Sequence, residues 1–223
     1  MTSGRLSPWH GAVVLLGVLP WVLTLAGCTR AVDGVPAPAP SSATPASAAE
    51  LEELLVTSVP SGLPRLADDE LRPPAGEKRI EDVAAYSSDP GRERKVLEDY
   101  GYRFGWERFW GSGGGSGAMT EVFVDQFDRR GGAAAYAADR AHNYAERFSG
   151  VLMENPPDLP GGCWLLTVED AVPEAQLSGP TALASCGHGA FSVAVTAMAD
   201  SVDAAQEEVR AVLVAQLAAL PPH

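Results

Sequence analysis

Cys163, Cys186 and His188 come nearest to a metal-ligating set in this 223-residue sequence. A tetrahedral zinc site takes four ligands, and nothing nearby supplies the fourth. The two cysteines therefore suggest a disulfide, with two buried thiols as the alternative. Glu107 and Glu121 would approach each other if the Gly run between them closes a hairpin, and a carboxylate pair is the machinery of glycoside hydrolysis. That chemistry needs a sugar cleft, whereas cross-strand pairing with Arg103 or Arg108 accounts for both charges without one. His142 and Glu146 stand four apart on one helix face, a spacing that could share a metal or support general-base work, with a solvated surface pair as the competing account. Gly113, Gly115 and Ala118 fit G-x-G-x-x-A. A strand (MTEVFVDQF) follows, however, in place of the helix whose amides would hold a phosphate. No G-x-S-x-G string occurs, so Ser112, Ser116 and Ser185 lack a nucleophile's setting. The expectation is no catalytic residue, no metal and no cofactor.

The aromatic string YRFGWERFW is the richest candidate for binding. Tyr102, Phe104, Trp106 and Trp110 fall in one phase of a strand and Phe109 in the other, so both faces carry rings. A strand under helices needs rings on one face only. Tyr102, Trp106, Phe109 and Trp110 are thus the candidate surface for an envelope lipid, a glycan or a protein partner, with core packing as the competing account.

The elements that position these residues follow from local pattern. Glu50–Val59 is ambiguous between a helical turn and a strand, and the Pro-rich 61–76 reads as irregular. A helix is expected near Ile80–Ser87, and another from the Asp89 cap and Pro90 to Gly101. Strands at Tyr102–Trp110 and Met119–Phe127 make a hairpin around Gly111–Gly117. A helix follows from about Gly132 to Phe148, with Ala137, Ala141, Tyr144 and Phe148 as its stripe. Cys163–Val168, Thr181–Cys186 and Phe191–Met198 are strand-like. A final helix, capped at Asp200 or Ser201, runs to Leu220. If 163–168 and 181–186 pair antiparallel so that Val168 meets Thr181, Cys163 falls opposite Cys186. The resulting loop of about 24 residues would contribute roughly 3 kcal/mol. Strand, Gly turn, strand, polar cap and helix thus occur twice, through an ancient duplication or through the mere frequency of the unit. The fold expected is α+β, a two-layer sandwich with an antiparallel sheet and helices on one face.

The N-terminal segment reads as an address. Arg5 precedes an apolar stretch, Gly11–Ala26, that is shorter than the roughly 20 residues of a membrane span and is interrupted by Pro20. It ends in Leu25-Ala26-Gly27-Cys28, which resembles the lipobox of bacterial lipoproteins. That resemblance implies diacylglyceryl attachment at the Cys28 sulfur and cleavage before it, leaving 1–27 as a signal peptide. Residues 28–49, with Pro at 36, 38, 40 and 45 among Ala and Ser, read as a disordered tether reaching roughly 60 Å. Residues 50–223 are then a single globular domain. The LLVTSVPSGL, GYRFGWERFW and FVDQFDRRGGAAAY strings are similar to small uncharacterised exported lipoproteins of actinobacteria. That likeness implies location and fold class but no reaction.

Composition sets the outer bounds. With 29 acids against 16 bases the formal charge is −13, which argues against a nucleic-acid partner. Losing residues 1–27 removes Arg5 and no acid, so −13 becomes −14. The expected protein is lipid-anchored on the outer, extracytoplasmic face of the cell membrane. It binds, scaffolds or senses without catalysis. A carrier of a lipid or glycolipid in a sheet/helix cavity and an envelope hydrolase are the alternatives.

Overall fold

The computed structural model describes residues 43–112, 117–173 and 177–221. The signal segment, the lipobox with Cys28 and most of the expected tether lie outside the described residues, as does the tip of the Gly-rich turn at 113–116. Among the described residues no helix is long and apolar enough to cross a membrane.

Helix termini form where the sequence supplies caps. The Ser47 hydroxyl accepts from the Glu50 amide and opens α1 (Ala48–Glu52). A short strand, β1 (Gly76–Lys78), precedes α2 (Ile80–Ala84). Asp89 accepts from Arg92 N and Pro90 takes the first turn of α3 (Pro90–Tyr100), which ends on Gly101 at φ 78°. The hairpin β2 (Tyr102–Gly111) and β3 (Met119–Phe127) leads into α4 (Arg130–Phe148). Then come β4 (Val151–Glu154), β5 (Cys163–Val168), β6 (Thr181–His188) and β7 (Phe191–Met198). Ser201 caps the last helix, α5 (Val202–Ala219), through the Ala204 amide.

All seven strands join one antiparallel sheet in the order β1-β2-β3-β7-β6-β5-β4. The α+β class and both strand–turn–strand–helix units stand as expected. The helices, however, cover both faces rather than one. Ala182, Ala184, Val193 and Val195 pack with Val209, Val212 and Leu213 of α5. The alternate residues meet α4, where Ser185 Oγ donates to Ala137 O and Ala194 packs with Ala133 and Tyr136. The physical reason lies in β3, β6 and β7, which are buried along almost their whole length. Such strands need cover on both sides. At Gly187 a Cβ would fall 2.8 Å from Ala134 Cα, so α4 can lie this close to β6 only over a glycine.

The opposed helices also bear on the internal repeat. A half-turn about the sheet normal carries β2–β3 onto β6–β7, but it would leave both helices on the same face. The two units share an order of elements and differ in hand, which speaks against simple duplication.

The packed body reaches into the stretch expected to be tether. Pro45 and Ala48 are buried, and the Gln126 side-chain amide donates to Pro45 O at 3.0 Å. Residues 45–66 form a strap across the α5 side of β2 and β3. Leu51, Leu55 and Val56 are fully buried there. Arg108 donates to Leu55 O and Val56 O. Gln216 bonds both Val56 N and Leu54 O, and Glu208 accepts from Ser61 N and Oγ.

Candidate functional site

The α4 side of the sheet holds a cluster of buried charge. Register fixes it: Gly76 pairs with Glu107 and Lys78 with Gly105, while Glu107 faces Phe123 and Phe109 faces Glu121. Lys78, Glu107, Glu121 and Asp125 therefore project from three neighbouring strands toward one side. Glu107 and Glu121 are diagonal neighbours there. From above, α4 brings Arg140, which occupies a position in its apolar stripe and is buried.

Lys78 Nζ lies 2.9 Å from Glu107 Oε2, both side chains nearly dry, and also donates to Pro74 O. Tyr86 Oη donates to the same Glu107 oxygen at 3.0 Å. Arg140 Nη1 lies 3.3 Å from Asp125 Oδ2, while Nη2 donates to Ser192 Oγ. The guanidinium also lies over the Phe123 and Tyr136 rings. Tyr102 Oη donates to Lys78 O and lies beside Asp125. Gly105 permits this arrangement, because a Cβ there would stand 2.4 Å from Asp125 Oδ1.

Burial shifts Glu121 and Asp125 upward. Glu121 is held well above the ordinary carboxylate range by burial first, then by the charge of Glu107 and its hydrogen bond to that residue. Asp125 is pushed up to about 7 by burial, with Arg140 and the Tyr102 hydroxyl pulling it back. Tyr86 is raised by burial and by Glu107. Three acids thus face two cations, Lys78 and Arg140.

This placement changes the pairing expected for the two glutamates. Arg103 turns to Asp128, and Arg108 lies on the opposite face, bonded to Glu52. Lys78 is the partner of Glu107. Carboxyl groups in hydrogen-bond contact leave no room for the sugar and the roughly 5 Å separation that a retaining glycosidase uses.

The four aromatic candidates do not form one surface. Trp110 is 1% exposed, and Trp106 packs beside it on the α5-side core with Phe104. A bulge between Tyr102 and Phe104 shifts the phase, so Tyr102 faces the other way, edge-on to Phe127. Phe109, opposite Glu121, is also on the α4 side. The strap covers the face of the aromatic strand that carries Phe104, Trp106 and Trp110.

Cys163 and Cys186 are opposite one another, as are Val168 and Thr181, and the cysteines are joined by a disulfide with Cα atoms 4.2 Å apart. A cavity of about 330 Å³ lies beside it, lined by Arg130, Ala134, His188 and Leu217 among others. His188 Nε2 contacts Pro221 O. His142 is exposed on α4, its Nδ1 2.8 Å from Ala138 O and its ring against Trp164. Among the described residues no group of three or more His, Cys, Asp or Glu could hold a metal ion.

Sequence reasoning missed Lys78, Asp125 and Arg140. Arg140 carried a usable signal, since it lies three and four residues from Ala137 and Tyr136 on the buried stripe. The chain matches no family model, no curated protein and no solved structure.

Proposed function

We propose that the protein is a lipid-anchored component of the cell envelope, held at the outer face of the membrane through Cys28. Its role on this reading is non-catalytic: binding, scaffolding or sensing. The observation that carries the proposal is the Cys163–Cys186 disulfide. Such bonds persist outside the reducing cytoplasm, and of the three cysteines in the chain only Cys28 is left, within the Leu-Ala-Gly-Cys string. The acids and the histidine that could do chemistry support the non-catalytic side, since each is engaged in a structural contact. Glu107 is tied to Lys78 and Tyr86, and His142 to Trp164. Metabolic labelling with a radioactive palmitate is expected to mark the wild type in the membrane fraction and to leave Cys28→Ala unlabelled. Labelling that persists in the variant would overturn the anchor.

The carrier reading draws on the cavity beside the disulfide, whose volume of about 330 Å³ reaches the lower end of ligand-pocket sizes. Trp106 and Trp110 do not line it. Mass spectrometry of the purified protein, finding a co-purified lipid or none, separates this reading from the first. A hydrolase would have to use Glu107 or His142, and their present contacts give it no support.

A further inference from the structure

The cavity beside the Cys163–Cys186 disulfide is framed by well-anchored elements. Arg130 and Ala134 line it from the start of α4, Gly187 and His188 from the end of β6, Leu217 from the last turn of α5, and Pro160 from the loop that leads into β5. The disulfide in its wall ties β5 to β6. Ala134 and Gly187 meet so closely that a Cβ on the glycine would lie 2.8 Å from Ala134 Cα. His188 Nε2 lies 3.2 Å from Pro221 O, which holds the ring between β6 and the chain beyond α5. The cavity is therefore formed before any ligand arrives.

Volume and charge narrow what it can take. At about 30 Å³ for each small group, the share of one water in the liquid, a cavity of about 330 Å³ holds roughly 11 non-hydrogen atoms. That is the size of a small organic molecule with one short chain, and far below that of a two-chain lipid. The whole chain carries a formal charge of −13, yet no acid is among the described residues that line the cavity, and α4 has none in its first turn. Arg130 enters no ion pair or hydrogen bond among the described residues, whereas Arg140 and Arg210 are paired with Asp125 and Asp158. A guanidinium offers a planar fork of donors that matches an oxyanion. Leu217, Pro160 and the disulfide supply apolar wall beside it. We propose that this cavity binds a small amphiphilic anion, with a carboxylate or similar oxyanion head at Arg130 and a single chain of about eight carbons along Leu217, Pro160 and the disulfide. This ligand class deepens the binding role proposed above and rests on it, but it is independent of the anchor at Cys28.

Sodium octanoate is the probe, added to the full protein in a nonionic detergent at neutral pH, where its carboxyl group is ionised. Amide chemical shifts are expected to move saturably, with one site per chain, at Ala134, Gly187 and His188. Arg130→Gln is expected to weaken binding about tenfold or more, as the loss of a charge-assisted contact does. The Arg130 side chain is exposed and unpaired, so this variant keeps the fold and also reports the background from octanoate taken up by micelles. Butyrate is expected to bind at least about tenfold more weakly, because its shorter chain buries less apolar surface. Inorganic phosphate carries a head without a chain, and shifts as strong as those of octanoate would make this a site for a bare anion and overturn the chain. Binding unchanged in Arg130→Gln, or n-octanol bound as tightly as octanoate, would overturn the head. No saturable shift at the lining residues would overturn the site itself, and would leave the anchor to be decided by the palmitate labelling of Cys28→Ala.

Discussion

Beneath α4 the sheet presents Lys78, Glu107, Glu121 and Asp125 to an arginine; beneath α5 the same central strands present Val122, Val124, Val193 and Val195 to leucines and valines. Polar groups are buried on both sides but are used differently. On the α4 side charge meets charge, within the sheet and across to the helix. On the α5 side Gln126, Gln216, Glu208 and Arg108 mostly grip the backbone of the strap. One face is therefore stabilised by interactions that depend on protons, and the other by apolar burial closed with hydrogen bonds that satisfy the strap's own amides and carbonyls. The sheet separates two kinds of core, and pH should act on one of them.

The harshest way to break this contrast is Glu107→Ala. It removes the acceptor of both Lys78 and Tyr86 and strands a buried ammonium, so urea denaturation at neutral pH should show a loss of about 3–5 kcal/mol. Next comes the pH dependence that Asp125 imposes. Its folded pKa of about 7 lies above an unfolded value of about 3.9. The native protein thus keeps a proton that the unfolded chain has released. Stability from this group is fully present below about pH 4 and declines as pH rises to 7, by up to about 1.4 kcal/mol per unit. Denaturation curves from pH 4 to 8 are expected to fall across that window in the wild type and to fall less steeply in Asp125→Asn, where Glu121 still contributes a slope of the same sign. On the other face, Glu208→Ala strips the acceptor from Ser61 N, Ser61 Oγ and Thr120 Oγ1. Those donors are neutral, and the loss should be smaller, about 1–3 kcal/mol. A Glu208→Ala curve that runs parallel to the wild type from pH 4 to 8 would sharpen the contrast, whereas one that changed shape would break it.

The sequence was legible where a local rule carries the whole outcome. Asp89-Pro90 and Gly101 bound α3 because capping is decided within one turn. Cys163 meets Cys186 because counting residues along two strands settles an antiparallel register. What escaped was set by tertiary context. β1 and β4 have three and four residues, too few for a period to emerge, and β1 exists because β2 offers an edge. The bulge near Arg103 reverses the face of Tyr102, and nothing in YRFGWERFW marks it. TALASC and FSVAV did carry a sign of double-sided cover, since neither alternates polar with apolar as a half-solvated strand does. The acidic cluster was half legible: the hairpin brings Glu107 near Glu121. The lysine that completes it comes from an edge strand no periodicity could announce.

The strap has a mechanical consequence. Its attachments follow one another along the chain: Pro45 to Gln126, Leu55 and Val56 to Arg108, Leu54 and Val56 to Gln216, Ser61 to Glu208, and Pro64 to Gly111 N. A force applied from the N-terminal side would reach them in series, so the strap would peel like a zipper, one fastening at a time. A pull on the C-terminal end of α5 would instead load that helix through its whole packed length. On this geometry the strap would yield at a lower force when pulled from its N-terminal side than α5 would when pulled from its C-terminal end.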